Sequence, residues 1–164
     1  PYFMLNPILS FRTHIDTFVL DRDRPDFYAN RHQSFTYGAQ IIGYLDLKKF
    51  GYFTSGIELY RDSLNSTRLG VRSLQRGTIF FQIEKKYFSE RMIIISGIRD
   101  DYYWNIKNSI NPHISFAYKI FPSLKFNSSL GNSFRAPSFT ELYYCDPANK
   151  GDYLLKPEYA WGNE

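Results

Sequence analysis

Apolar and polar residues alternate one for one through most of this chain. Over 8–20, Leu9, Phe11, Thr13, Ile15, Thr17 and Val19 share one side, and Ser10, Arg12, His14, Asp16 and Phe18 the other. A period of two belongs to a strand with one apolar and one wet face. The pattern returns over 34–45, where Phe35, Tyr37, Ala39, Ile41 and Leu45 oppose Thr36, Gly38 and Gln40. It returns again over 52–61 (Phe53, Ile57 and Leu59 against Thr54, Gly56 and Glu58) and 78–86 (Ile79, Phe81 and Ile83 against Thr78, Gln82 and Glu84). Over 92–99 three isoleucines run together, and Gly97 with Arg99 assigns the odd positions to the wet side. Ile114, Phe116, Tyr118 and Ile120, then Leu124, Phe126, Ser128 and Leu130, complete the series. No 3.6-residue period lasts beyond a turn or two. The expectation is an all-β chain of seven strands with an eighth beginning near Glu158.

The connections alternate as well. Stretches 46–51, 87–90 and 121–123 read as tight turns, whereas 21–33, 62–77, 100–112 and 135–156 read as long polar loops. In an up-and-down antiparallel sheet, alternate connections lie at opposite ends, so every long loop shares one end. This asymmetry, with a wet face and an apolar face, fits an antiparallel transmembrane β-barrel of which these strands are a part. Tyr52, Tyr87, Tyr102, Trp104 and Tyr118 near strand ends suit interfacial aromatic girdles, although aromatics also favour strands for other reasons.

Composition sharpens this in three ways. The chain is 19% aromatic, with 14 Tyr and 15 Phe, yet its mean hydropathy is only −0.39. No apolar run reaches the roughly 18 residues of a membrane helix, and a barrel escapes that requirement because only alternate residues meet lipid. The formal charge of +4 is scattered along the chain, which argues against a nucleic-acid partner. Cys145 is the only cysteine, so neither an internal disulfide nor a cysteine-rich metal site is expected. Pro1 is no initiator, no secretion signal precedes the first strand, and a strand is starting at the last residues. The expectation is a piece of a larger protein.

Chemistry of an enzymatic kind finds little support. His14, His32 and His113 lack metal-ligand spacing, no serine sits in a Gly-x-Ser-x-Gly elbow, and no glycine-rich phosphate loop occurs. His14 and Asp16 share a face and resemble a dyad, but a polar inner wall explains them with less. No enzyme activity and no cofactor are expected.

The most specific stretch is 130–158, LGNSFRAPSFTELYYCDPANKGDYLLKPE. Leu130 and Phe134 fall on one face and Gly131, Ser133 and Arg135 on the other, until Pro137 ends the ladder for want of an N–H. The run Phe134-Arg135-Ala136-Pro137-Ser138-Phe139-Thr140-Glu141-Leu142-Tyr143, then Leu155-Lys156-Pro157-Glu158, resembles a signature of the barrel of TonB-dependent outer-membrane receptors. The resemblance is firm over 111–158 and generic before it. It implies a place in the outer membrane, among lipid and lipopolysaccharide, in a barrel of about 22 strands around an N-terminal plug. It also implies active uptake of an iron chelate, haem, cobalamin or sugar, energised by the inner-membrane TonB complex through a short N-terminal box. Nothing in residues 1–164 matches that plug or box, so the expectation is a receptor-barrel segment without its plug domain.

Within this signature Arg135 and Glu141 read first as a pair closing the loop onto the rim, with direct ligand contact the alternative. Pro137 and Pro157 punctuate the strands. Ligand binding is expected on the loops, where Arg135, Tyr143, Tyr144, Lys150 and Tyr153 combine aromatic faces with cations suited to a bulky anionic chelate. The same surface would suit lipopolysaccharide phosphates. Two other readings stay open: a passive porin-like or structural outer-membrane barrel, and a soluble secreted β-rich binding module.

Overall fold

The computed structural model describes residues 2–104, 106–145 and 149–164. Eight strands run in order: β1 (Tyr2–Val19), β2 (Ala29–Asp46), β3 (Tyr52–Ser66), β4 (Gly70–Tyr87), β5 (Met92–Tyr103), β6 (Ser109–Phe121), β7 (Leu124–Arg135) and β8 (Glu158–Asn163). They form one sheet in which each strand pairs antiparallel with the next, the expected up-and-down order. The only α-helix among the described residues is α1, a single turn at Phe139–Tyr143.

Register and exposure together identify the two faces. Gln40, Glu58, Thr78, Asp101 and Ser109 lie on one rung across five strands, and Ile41, Ile57, Ile79, Asp100 and Ile110 on the next. Glu58, Thr78 and Asp101 are 9%, 4% and 7% exposed, while Ile41 and Ile57 are each 56% exposed. In a single layer, polar residues become the buried ones only if the sheet curls toward them. The ladder puts Phe35, Tyr37, Phe53, Ile114, Phe116, Phe126 and Leu130 on the apolar side and Gln82, Ser115 and Asn127 on the polar side, as the alternation predicts. Asp100 interrupts that face mid-strand, between Ile79 and Ile110, while Arg61 and Lys85 share the apolar face nearer the strand ends.

The layer has no dry core. Leu64 and Leu69 are the only buried hydrophobic residues among those described. The chain exposes 12122 Å², whereas a compact soluble protein of 19.4 kDa would expose about 8,500 Å². A two-layer soluble sandwich is therefore excluded.

Two expectations are corrected. Two of the four long loops are mostly strand and a third is partly so: β3 and β4 continue to a turn at 67–69, and the other connections shrink to 104–108 and 20–28. Beyond the apolar band both faces meet water, so the hydrophobic period disappears while backbone pairing continues. The tip is also stapled, because Ser66 Oγ accepts from the backbone N–H groups of Arg68 (3.2 Å) and Leu69 (3.0 Å). Gly70 takes the left-handed φ of +72° that closes the turn. The second correction concerns Phe134. Pairing between β6 and β7 ends at His113–Gly131. Beyond it the Phe134 ring lies 5.2 Å from Tyr103, whose rung partner is the inward Arg76, rather than on the side of Leu130.

Curling toward the polar face brings its side chains together, and three glycines make the room. Gly38 lies opposite Tyr60, Gly56 opposite Phe80, and Gly97 opposite His113. A Cβ on each would meet the facing ring at 2.4, 2.6 and 2.4 Å. The ring thus lies over bare backbone on the neighbouring strand. Gly56→Val should therefore destabilise the sheet by about 1–3 kcal/mol through overpacking. Gly162→Ala, with nothing within 4 Å of the new carbon, should leave stability unchanged. Equilibrium urea unfolding in detergent micelles measures both.

Candidate functional site

The inner wall carries a charged network across four strands. Arg99 on β5 reaches Glu58 on β3 at 2.7 Å through Nη2, and its Nε donates to both Asp101 oxygens at 3.0 Å. Thr78 on β4 donates to Asp101 at 2.6 Å, and Asn111 on β6 donates to the other Asp101 oxygen at 3.3 Å. Side chains of Glu58 and Asp101 are 11% and 10% exposed and that of Arg99 is 34%. One cation thus serves two nearly buried carboxylates, and neutral donors fill the remaining lone pairs. Above this rung Arg76 stands between the rings of Tyr60 (4.8 Å) and Tyr103 (6.0 Å).

The signature builds a second charged centre at the rim. Arg135, the last residue of β7, holds Glu141 of α1 through Nη1 at 3.1 Å and Nη2 at 2.8 Å. The same guanidinium holds Glu158, opposite it on β8, through Nε and Nη2, each at 3.0 Å. Two bidentate pairs on one fork are the geometry that arginine offers and lysine does not. Glu141 Oε2 also accepts from the Ser138 backbone N–H at 2.8 Å, and Ser138 Oγ accepts from the Glu141 N–H at 3.2 Å. That reciprocal capping box starts α1, and its Ser-x-x-Glu spacing stands in the sequence at 138–141. Arg135 and then the Ser138 bonds hold the Glu141 carboxyl well below its usual range, at about 2.

From this clamp the 136–157 excursion crosses the inner side of the long-loop end. Tyr143 lies with its ring 3.9 Å from the guanidinium carbon of Arg72, which shares a face with Leu74, Arg76 and Thr78. The Tyr144 hydroxyl meets that of Tyr28 at 3.2 Å, and Arg68 covers the Tyr28 ring at 4.4 Å. The returning limb passes directly over α1. A Cβ on Gly151 would lie 2.8 Å from the Glu141 carbonyl oxygen, and the Asp152 N–H donates to that oxygen at 3.0 Å. Between α1, the 104–108 turn and this limb is a cavity of about 420 Å³.

The structure distributes the sequence-predicted residues unevenly. Arg135, Glu141 and Glu158 meet in the clamp, while Phe134 stacks between Tyr103 and Tyr159 at 5.2 and 5.3 Å. Ala136 follows at the rim and Pro137 is buried. Pro137, Phe139, Leu142, Tyr143, Tyr153, Leu155, Lys156 and Pro157 surround the cavity. Tyr144 points to Tyr28 instead, and Lys150 is exposed beside Cys145 in an isolated bridge. Arg68, Arg72, Tyr28 and Gly151 were not predicted as anchors, since cation–ring pairs and backbone contacts leave no spacing signal. No hydrogen bond joins His14 to Asp16, and His32 Nε2 instead meets Asn30 Nδ2 at 2.8 Å. Among the described residues no group of three His, Cys, Asp or Glu could hold a metal ion.

Two outcomes follow from these centres. Arg99→Met strands Glu58 and Asp101 on the inner wall and should lower unfolding stability by about 3 kcal/mol, read by urea titration. Arg135→Ala should increase protease cleavage within 149–157 several-fold while the strands remain protected. The Glu141 contribution to docking is complete above its ordinary value near 4.5 and is lost as pH falls toward 2. The same cleavage assay at stepped pH, with an acid-active protease, should therefore show the excursion loosening in that window. Glu141→Gln should shrink the step, and because Arg135 also holds the Glu158 carboxyl low, only Glu141→Gln with Glu158→Gln should abolish it.

Similarity to known proteins agrees with this geometry. The chain is 29% identical over 115 residues to the "Vitamin B12 transporter BtuB" of Photobacterium profundum, spanning 63% of this chain and 16% of that relative. Its fold matches the crystal structure of the siderophore receptor PirA from Pseudomonas aeruginosa with a TM-score of 0.71 at 13% identity, covering 82% of this chain and 29% of that one. Residues 4–164 match the family described as TonB dependent receptor-like, beta-barrel, and the chain belongs to that family.

Proposed function

We propose that this chain forms part of the barrel wall of an outer-membrane receptor that takes up a scarce nutrient, of the iron-chelate or cobalamin kind, with energy from the TonB complex. The observation that carries the reading is the curled sheet itself, apolar outside and charged inside, with the family's signature arginine closing an excursion over its inner rim. Charges such as Arg99 and Glu58 require a wet interior, because Arg or Lys facing lipid at mid-bilayer costs about 2–4 kcal/mol. The apolar face meets lipid, and lipopolysaccharide surrounds the rim. The turns at 47–51, 88–91 and 122–123 face the periplasm, and the excursion faces outward.

The outer edges of β1 and β8 carry unpaired backbone groups, which no sheet leaves bare in lipid. Further strands of a larger barrel cover them, and a plug with its TonB-contacting segment belongs to that larger assembly. The chain spans 16% and 29% of the two relatives, in keeping with such a whole. No chemical step is assigned to these residues. Their work is to bind, orient and pass a ligand.

Arg135 is occupied by two carboxylates, so ligand recognition falls to Tyr143, Tyr144, Tyr153 and Lys150. Ring stacking would contribute about 0.5–1.5 kcal/mol per contact to a bulky ligand, and Lys150 a charge-assisted hydrogen bond to its anionic group. In the full-length receptor, Tyr143→Ala with Tyr144→Ala should weaken nutrient uptake several-fold while surface assembly persists. Collapse of the inner-membrane proton gradient should stop uptake altogether. Uptake that survives that collapse would identify a passive porin, and unchanged affinity in the double variant would move the ligand elsewhere.

A further inference from the structure

The rim cavity has a composition that the barrel does not require. Its walls are Trp104, Phe139, Leu142, Tyr143, Tyr153 and Tyr159, an aromatic lining for a volume of about 420 Å³. That is toward the lower end of the roughly 300–1,000 Å³ typical of small-molecule sites. Two cations, Lys107 and Lys156, also line it. Among the described residues neither lysine has a hydrogen-bond or ion-pair partner, and no carboxylate borders the cavity. Of the nearby described acids, Glu141 and Glu158 both bind Arg135, and Asp152 accepts from the Leu154 backbone N–H at 2.8 Å. Solvated lysines alone would be ordinary surface. Two unmatched ammonium groups on one aromatic hollow are a charge pattern awaiting a counter-charge.

We propose that this cavity binds a small amphipathic anion: an aromatic or short aliphatic body in the hollow, with its carboxylate, sulfonate or phosphate at Lys107 and Lys156. A neutral ligand of the same shape gains only the ring contacts. A cationic one is repelled by both lysines. Trp104, Tyr153 and Tyr159 are each more than half exposed, so the attraction of the lysines for an anion weakens as salt rises. Docking of α1 and the returning limb assembles the cavity, so the Arg135 clamp is its positioning element. The inference rests on the receptor reading in that Tyr143 and Tyr153, named above for ligand recognition, also line this cavity, and it concerns equilibrium binding, which is measured without transport.

The test uses the full-length protein in detergent with 4-benzoylbenzoate as a photoactivated probe and 4-benzoylbenzyl alcohol as its neutral counterpart. Saturable labelling should map by mass spectrometry to peptides carrying residues 104–107 or 153–159, with the alcohol labelling at least tenfold less. Lys107→Gln with Lys156→Gln should reduce labelling by the carboxylate at least tenfold, and the Lys→Arg pair should restore it to within about threefold. Adducts scattered over the apolar band, equal labelling by the alcohol, or an undiminished Gln variant would each overturn the proposal. The acid-against-alcohol arm needs no substitution, so it decides the matter even where the Gln variant fails to fold.

Discussion

A single layer of strands has no inside until something curls it. Here the strands satisfy one another's backbone groups sideways, through antiparallel ladders from β1 to β8 that shift register near Lys119 and part beyond His113 and Gly131. What remains to be decided is which face meets which medium. With only Leu64 and Leu69 buried among the hydrophobic residues described, packing against a second layer plays no part. The constraint is strict alternation: a slip of one residue would send Glu58 and Arg99 to lipid and Ile57 and Ile98 to water. At about 2–4 kcal/mol for a basic residue at mid-bilayer, one such error rivals a large fraction of a domain's net stability.

The inner wall turns that constraint into a rigid surface. Its three glycine–ring rungs let Tyr60, Phe80 and His113 lie against neighbouring backbone, so the concave side is filled without forcing the strands apart. The Glu58–Arg99–Asp101 network then ties four successive strands by side chains as well as by ladder bonds. Such a network is no cheaper than apolar packing in a dry core. On a wall that water reaches, it resists shear between strands while leaving polar groups at the surface. A wide lumen needs both properties.

The sequence made the strands, their order and most of their faces legible, because alternation reports directly on a two-medium environment. It misjudged strand ends wherever the environment stopped being two media. Residues 62–66 and 70–77 pair as regularly as those below them, but their polar side chains on both faces look like loop. Phe134 failed for a related reason: its face depends on where pairing with β6 ends, a tertiary event with no local mark. The rim was half legible. Arg135–Glu141 could be read from the signature, and Ser138 carried a capping-box spacing that predicts α1. Glu158 read as a signature residue where the eighth strand begins, yet it is the second carboxylate on Arg135. The contacts of Tyr143 with Arg72, and of Gly151 with the α1 backbone, join residues whose proximity only the folded excursion creates.

One guanidinium fixing three points of the chain explains how a long excursion stays in place at an exposed rim. Arg135 is where the chain leaves β7, Glu158 is where it enters β8, and Glu141 lies on the helix between them. Tying exit to re-entry offsets loop-closure entropy once, and tying the helix to the same point subdivides the loop. The far end is then held by rings on arginines, Tyr143 under Arg72 and Tyr28 under Arg68, instead of by carboxylates. That choice has an electrostatic consequence. A carboxylate anchor would cancel the charge of its partner, whereas a ring holds the arginine in place and leaves its charge intact. Arg68, Arg72, Lys107 and Lys156 accordingly keep their positive charge around the excursion, with no ion-pair partner among the described residues. A rim built this way attracts anions over a Debye length of about 8 Å at physiological salt before any specific contact forms. The anchoring of the excursion and the field it presents to an approaching ligand are therefore consequences of the same side chains.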